Sequence, residues 1–294
     1  MNSIAILLTD HKSINEDIIL KSFHYLKKSK LKKIFFIGDQ SKFKKVYLKF
    51  SKNKRFDFIN IKINKNNFFK YIDLITAKSI KLFDEKKINF IINMPLNKKK
   101  FLKNFIGYTE FFSNKLKNKK KFNMLLYNKN FSVCPITTHI QLKNVEKNIT
   151  KNKVLNSIQN IIFFYKKIIK KKIKIIVLGL NPHASKDMKN SFDHKVLLKV
   201  VNIFKKKKIS IEGPVSSDTA FSNVKNKIFI GMYHDQVLIP FKLINKFNGI
   251  NITIGNKYIR MSPDHGTGEK FRKKSSSHIS NESFLKCIAF CENH

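Results

Sequence analysis

The chain has 294 residues, with 60 Lys or Arg against 19 Asp or Glu, for a formal net charge of +41. That length holds one large or two ordinary domains around a real core and excludes a disulfide miniprotein. A hydrophobic fraction of 42%, with 28 Phe, excludes a wholly disordered basic tail.

In chain order, short apolar runs alternate with longer lysine-rich amphipathic segments. Residues 4–8, 33–37, 89–93, 123–127, 173–178, 209–211, 227–231 and 250–254 read as strands. Several are continuously apolar, which suits strands buried on both faces. The first meets Asp10 at once, so it reads as a strand and not as a signal peptide. Helices are expected over 14–30, 67–87, 153–171, 192–207 and 281–290. In the fourth, Phe192, Val196, Val200 and Phe204 recur at one-turn spacing, with Ser191 or Asn190 as the cap. Strand alternating with helix implies an α/β fold with a largely parallel sheet. No apolar stretch approaches the ~20 residues that span a bilayer. The nearest, 161–169, is interrupted by Lys166 and Lys167. A soluble cytoplasmic protein with no membrane partner is expected.

The charge is a weak functional clue. Only Arg55, Arg260 and Arg272 are arginines, and Trp is absent. Arg is the better residue for forked contacts to phosphates and guanine edges. An excess of Lys, Asn, Ile and Phe is what drift towards A/T-rich codons leaves. Salt-sensitive, unspecific polyanion binding follows, not a specific nucleic-acid partner. The three cysteines cannot build a disulfide framework or a four-Cys zinc site. Cys287 and Cys291, one helical turn apart, read as core filling ahead of a metal pair.

The rare residues gather. All six prolines lie between Pro95 and Pro263, and eight of the nine glycines between Gly107 and Gly268. Most sit at strand ends, where α/β sheets bind ligands. Four such segments carry one histidine each: 134–139 with His139, 179–184 with His183, 231–236 with His234 and Asp235, and 261–268 with His265. Neutral imidazoles brought together from adjacent strand ends can hold a divalent cation and leave positions open for substrate. His11, His24, His194, His278 and His294 lack that setting and read as surface residues.

Gly-Leu-Asn-Pro-His-Ala at 179–184, Glu-Gly-Pro-Val-Ser-Ser-Asp-Thr-Ala-Phe at 212–221 and Met-Tyr-His-Asp-Gln at 232–236 occur in order. Gly-Ile-Asn-Ile-Thr-Ile-Gly at 249–255, Tyr-Ile-Arg at 258–260 and Asp-His-Gly-Thr at 264–267 follow. Together they resemble the 4-hydroxythreonine-4-phosphate dehydrogenase (PdxA) family, clearly from Gly107 onward and more weakly at 93–98. The resemblance implies two α/β/α domains, isocitrate/isopropylmalate dehydrogenase-like, with the active site in the cleft between them. Residues 1–131 with 262–294 would form the cofactor side, and 132–261 the metal and dimer side. It implies NAD(P)-linked oxidation of 4-phosphooxy-L-threonine in pyridoxal phosphate biosynthesis. The amino-oxo acid formed loses carbon dioxide to give 3-amino-2-oxopropyl phosphate. Another phosphorylated hydroxy acid, a phosphoerythronate or phosphothreonate, is the alternative substrate.

Position by position, the resemblance makes His139, His183 and His234 the ligands of one divalent ion (Zn, Mg or Co). Asp235 and Asp218 would orient ligands from behind. Tyr108, Thr109, Lys242, Asn251 and Arg260 fall at substrate contacts, and Asp264, His265, Gly266 and Thr267 at the adenine side of NAD or NADP. The family is a homodimer whose metal site takes ligands from both subunits. Three departures stand out. The glycine- and proline-rich first loop is Thr9-Asp10-His11-Lys12-Ser13-Ile14-Asn15-Glu16-Asp17 here. Tyr108 replaces a substrate-binding histidine. Gly268 and Glu269 interrupt the small apolar residues that usually follow His-Gly-Thr.

Overall fold

The structure, a computed structural model, describes residues 1–64, 66–102, 105–116, 122–186, 188, 190–246, 248–255, 257–264, 266–268 and 279–294. The chain forms two compact units. One comprises Met1–Asn118, Phe247–Ile252 and Asn256–His294, the other Lys119–Lys246 and Thr253–Gly255.

The first unit opens with β1 (Ser3–Leu7), α1 (Asn15–Lys21), α2 (Phe23–Lys28), β2 (Lys33–Gly38), α3 (Lys44–Phe50) and β3 (Phe56–Asn60). It continues with α4 (Phe68–Asp84), β4 (Phe90–Asn93), α5 (Lys98–Phe101) and α6 (Tyr108–Lys115). The second unit contains β5 (Asn123–Tyr127), β6 (Phe131–Pro135), α7 (Lys151–Phe164), β7 (Lys174–Leu178), α8 (Lys199–Lys206), β8 (Ile211–Val215), β9 (Lys227–Gly231) and α9 (His234–Asn245). The chain leaves it after Lys246, returns to it for Thr253–Gly255 at the end of β10 (Ile250–Ile254), and ends with β11 (Ile259–Pro263) and α10 (Glu282–Asn293) in the first unit.

In the first unit the strands run β3-β2-β1-β4-β11, all in parallel. Every residue of β1 is buried, as a central strand covered on both faces requires. α4 buries Tyr71, Ile72, Ile75, Ser79 and Leu82 at helical spacing against Leu7, Ile37 and Ile91. The Asn67 side chain caps it, accepting from Lys70 N at 3.0 Å. Phenylalanine does much of the filling: Phe36 stacks on Phe58 at 5.0 Å and meets Phe50 edge-on at 5.1 Å. Cys287 and Cys291 are fully buried in α10, with Cys291 Sγ 3.9 Å from Met261 Sδ. Core filling is their role. Burial pushes both thiols up, away from the thiolate.

In the second unit the order is β5-β6-β9-β7-β8, antiparallel between β5 and β6 and parallel elsewhere. β6, β9, β7 and β8 therefore all end on the same edge. Parallel strands need helical crossovers, and α7, α8 and α9 supply the amphipathic segments that follow or precede these strands.

Several expectations shift. The helix expected over 14–30 is two, parted at Ser22, whose Oγ folds back to Ile18 O at 2.8 Å. That side-chain bond competes with the helical ladder. The helix expected over 192–207 starts with a π-helical turn, Asp193–Leu198, before α8. Its expected cap is present in Ser191, whose Oγ accepts from His194 N at 3.4 Å. The strand expected at 209–211 lies at Ile211–Val215, running through Gly213 and Pro214. Its place at the end of the strand order lets it carry a proline that donates no hydrogen bond. No described helix is long and apolar enough to cross a membrane.

Candidate active site

The strand order of the second unit sets the order of its loops. Reading along β6-β9-β7-β8, the carboxyl ends present His139, then His234 and Asp235, then His183, then Asp218. Hydrogen bonds pin these loops to one another. Ile136 N donates to Gly231 O at 2.8 Å, and Thr137 Oγ1 to Met232 O at 2.7 Å. Gly179 N donates to Val215 O at 2.8 Å. Gln236 ties three loops with one side chain. Its Oε1 accepts from Met232 N at 2.6 Å, and its Nε2 donates to Gly179 O at 2.7 Å and Ser217 Oγ at 2.8 Å.

The His139 and His234 rings lie 5.5 Å apart, centroid to centroid. His234 opens α9, and its Nδ1 sits 2.6 Å from Asp235 Oδ1. A carboxylate there favours the tautomer with hydrogen on Nδ1, leaving the Nε2 lone pair as a metal donor. Beyond β8, the exposed Asp218 carboxyl is held below its usual range by the Ser216 hydroxyl at 2.5 Å. His139 and His183 both adopt left-handed backbone, at φ 51° and 52°, as do Ala184 and Ser185. Such a conformation costs an L-residue roughly 1–2 kcal/mol, and strain of this kind concentrates at functional sites. Gly179 lets the loop turn back: a Cβ there would sit 2.7 Å from Ala184 Cα. Among the described residues, no three His, Cys, Asp or Glu side chains converge as a metal-binding group. The donor chemistry fits a divalent cation. In one chain, however, the three expected ligands divide into a His139–His234 pair and a separate His183. Lys242 lies two turns beyond His234 on α9, exposed.

The first unit holds the anion-binding candidates. Arg260 is 2% exposed on β11. Its Nε donates to Asn93 Oδ1 and its Nη1 to Thr109 Oγ1 at 3.3 Å. Tyr108 lies beneath it, ring centroid 4.6 Å from Cζ. Burial lowers the guanidinium pKa to about 10, with Tyr108 and Glu110 opposing the shift, so Arg260 stays charged at neutral pH. The Tyr108 hydroxyl meets Thr76 Oγ1 at 2.6 Å, and burial lifts its pKa to about 12. Asn251, on β10, buries an Oδ1 with no hydrogen-bond partner among the described residues. Such an orphaned acceptor fits a ligand donor.

The expected adenine-side loop is partly described. Asp264 N donates to Ser283 Oγ at 2.7 Å, Thr267 O accepts from Ile14 N at 3.1 Å, and Gly266 faces open space on its Cβ side. His265 lies outside the described residues. Thr267 thus meets the altered first loop, where two more buried atoms, His11 Nδ1 and Asn15 Oδ1, have no partner among the described residues. His11 is half-buried and not a plain surface residue. Burial lowers its pKa; Asp10 opposes this, and Lys100, Lys42 and Lys12 add to it. Nothing in its local sequence marked it.

A family model described as "Pyridoxal phosphate biosynthetic protein PdxA" matches residues 6–291. A 4-hydroxythreonine-4-phosphate dehydrogenase of Sulfurihydrogenibium sp. is 39% identical over 63% of this chain and 59% of its own length. A D-threonate 4-phosphate dehydrogenase of Pectobacterium atrosepticum is 32% identical over 62% of this chain and 57% of its own. The matched part thus spans under two thirds of either relative. The crystal structure of a 4-hydroxythreonine-4-phosphate dehydrogenase from Klebsiella pneumoniae superposes with a TM-score of 0.81. It covers 99% of this chain and 97% of that one at 22% identity, a likeness of fold. With the family model spanning nearly the whole sequence, this chain belongs to the PdxA family of pyridoxal phosphate biosynthetic proteins.

Proposed function

We propose that this chain oxidises the secondary alcohol of 4-phosphooxy-L-threonine with NAD or NADP. The product, 2-amino-3-oxo-4-phosphooxybutanoate, then loses carbon dioxide to give 3-amino-2-oxopropyl phosphate. The observation that carries this is the row of histidines on one sheet edge, with His234 Nδ1 held by Asp235 at 2.6 Å. His139, His183 and His234 would hold one divalent ion (Zn, Mg or Co), and Asp235 would keep Nε2 of His234 facing it. When bound, the cation supplies Lewis acidity towards the substrate alcohol, and the nicotinamide supplies the hydride acceptor. Arg260, positioned by Asn93 and Tyr108, binds an anionic end of the substrate together with Thr109, and Lys242 is a further substrate contact. Asn251 Oδ1 accepts from a substrate N–H or O–H. Asp264, Gly266 and Thr267 line the adenine side of the cofactor.

The separation of His183 from the His139–His234 pair supports a homodimer in which one metal centre takes ligands from two subunits. Apolar side chains exposed on the same unit, Leu142 at 70% after the His139 loop and Leu243 at 75% near the end of α9, suit burial against a second copy. One experiment tests chemistry and assembly together. Reduced-cofactor formation from phosphooxythreonine should require metal, and His183→Ala should cut it by more than the roughly 100-fold that even a supporting residue can cost. Inactive His183→Ala and His234→Ala chains, mixed and reassociated, should regain turnover through the one wild-type site their heterodimer contains. Turnover that survives chelation or either substitution refutes the metal reading, and failure of the mixture to recover refutes the shared site.

The Pectobacterium relative and the replacement of a substrate-binding histidine by Tyr108 favour D-threonate 4-phosphate as a second reading. A higher kcat/KM on that acid than on phosphooxythreonine would make it the substrate.

A further inference from the structure

The loop that presents His183 is held by a carboxylate ten residues further along the chain. Asp193 is fully buried at the start of the π-helical turn before α8. Its Oδ1 accepts from Leu180 N at 2.7 Å. Its Oδ2 accepts from Asn181 N at 3.2 Å, Asn181 Nδ2 at 3.1 Å and Ser185 Oγ at 2.8 Å. All four donors come from residues flanking His183 on both sides. Between them the backbone runs through three left-handed residues in succession, His183, Ala184 and Ser185.

We infer that Asp193 is a positioning residue for His183: it fixes the strained 180–185 loop in the conformation that presents the imidazole as a ligand. The inference rests on the proposed role of His183 in metal binding. Left-handed backbone at three adjacent non-glycine residues is unfavourable and persists only where surrounding contacts impose it. Charge-assisted hydrogen bonds to a buried carboxylate are about twice as strong as neutral ones, and here four converge on one group. The π-helical turn has a part in this, since it begins at the residue whose carboxylate meets the loop, and π-bulges recur at functional sites. Only a carboxylate suits the position. Asparagine of the same shape would turn an NH2 group towards backbone and side-chain donors, leaving them buried and opposed.

Asp193→Asn tests this through two readouts, neither of which is turnover. In the metal-free protein, amide exchange in the 180–185 segment should accelerate while β7 and β9 keep their protection. The dissociation constant for Zn or Co, measured by chelator competition, should rise about 10- to 100-fold. Ser185→Ala, which removes one donor and leaves the carboxylate, should give a smaller rise and covers the case in which Asp193→Asn does not fold. Unchanged affinity in both variants, even with faster exchange, overturns the positioning role. If His183→Ala itself binds metal like the wild type, the metal reading fails, and the exchange result still reports separately whether Asp193 holds the loop.

Discussion

Arg260 combines a charge with nearly complete burial. Removing a guanidinium from water is costly unless its donors are met, and the chain surrounds it from two elements: Asn93 at the end of β4, and the Thr109 hydroxyl and Tyr108 ring face in the first turn of α6. Tyr108 is thus placed as a platform, with its hydroxyl turned to Thr76. Its folded pKa, raised to about 12 by burial, fixes the sign of its contribution. The protonated form is favoured in the fold, so the stability it adds is whole below pH ~10 and lost as pH rises towards 12. Tyr108→Phe should therefore cost about 1 kcal/mol at neutral pH, the worth of one buried hydrogen bond. It should leave the pH–rate profile between 6 and 9 unchanged, as urea melts and initial rates would show. A profile that moves with the substitution would make the hydroxyl a proton carrier. Arg260 differs in kind, because its stacked guanidinium has no equivalent in lysine.

At the scale of elements, the Gly179 turn links the fold to the histidine row. Gly179→Ala would drive a Cβ to 2.7 Å from Ala184 Cα and 2.8 Å from its Cβ. Overpacking of this kind costs about 1–3 kcal/mol, so the thermal midpoint should drop by several degrees and metal affinity should fall with it. An unchanged midpoint would mean that the loop does not turn back on β7. Among the strands, β1, β2, β7 and β9 were legible because they are nearly unbroken apolar runs. β3, β6 and β11 were not. Phe-Asp-Phe-Ile-Asn of β3 alternates as the end strand of its unit. β6 buries Ser132, satisfied by the Tyr165 hydroxyl at 2.8 Å, a partner that local sequence does not show. β11 buries Arg260, which breaks its apolar run for the reason given above. α9 escaped because its first residue, His234, belongs to a segment that reads as a strand-end loop. The same limit governed the site. The histidines announced themselves by their place at strand ends, while Asp193, which acts on the backbone 13 residues away, carries no local signature, and the motif that holds Gln236 does not show its reach to Gly179 O, 57 residues away.

For the molecule as a whole, the net charge of +41 acts on stability more directly than on recognition. Sixty cations cannot find partners among nineteen carboxylates. The pairs that do form, such as Lys33–Asp57 at 2.7 Å and Lys174–Glu212 at 2.6 Å, are substantially exposed, and each is worth about 0–1 kcal/mol. The uncompensated lysines repel one another and weaken the compact state. Added salt shortens the screening length from ~10 Å at 0.1 M to ~3 Å at 1 M, so it relieves the repulsion more than it weakens those few pairs. Raising sodium chloride from about 0.05 to 0.5 M should therefore raise the thermal midpoint. The same range should abolish any binding to RNA, because unspecific contacts between lysine and phosphate lose affinity steeply with salt. A midpoint that falls as salt is added would show that attractive pairs outweigh the lysine excess. RNA binding that persists at the upper salt limit would return the charge to the functional role that the scarcity of arginine argues against.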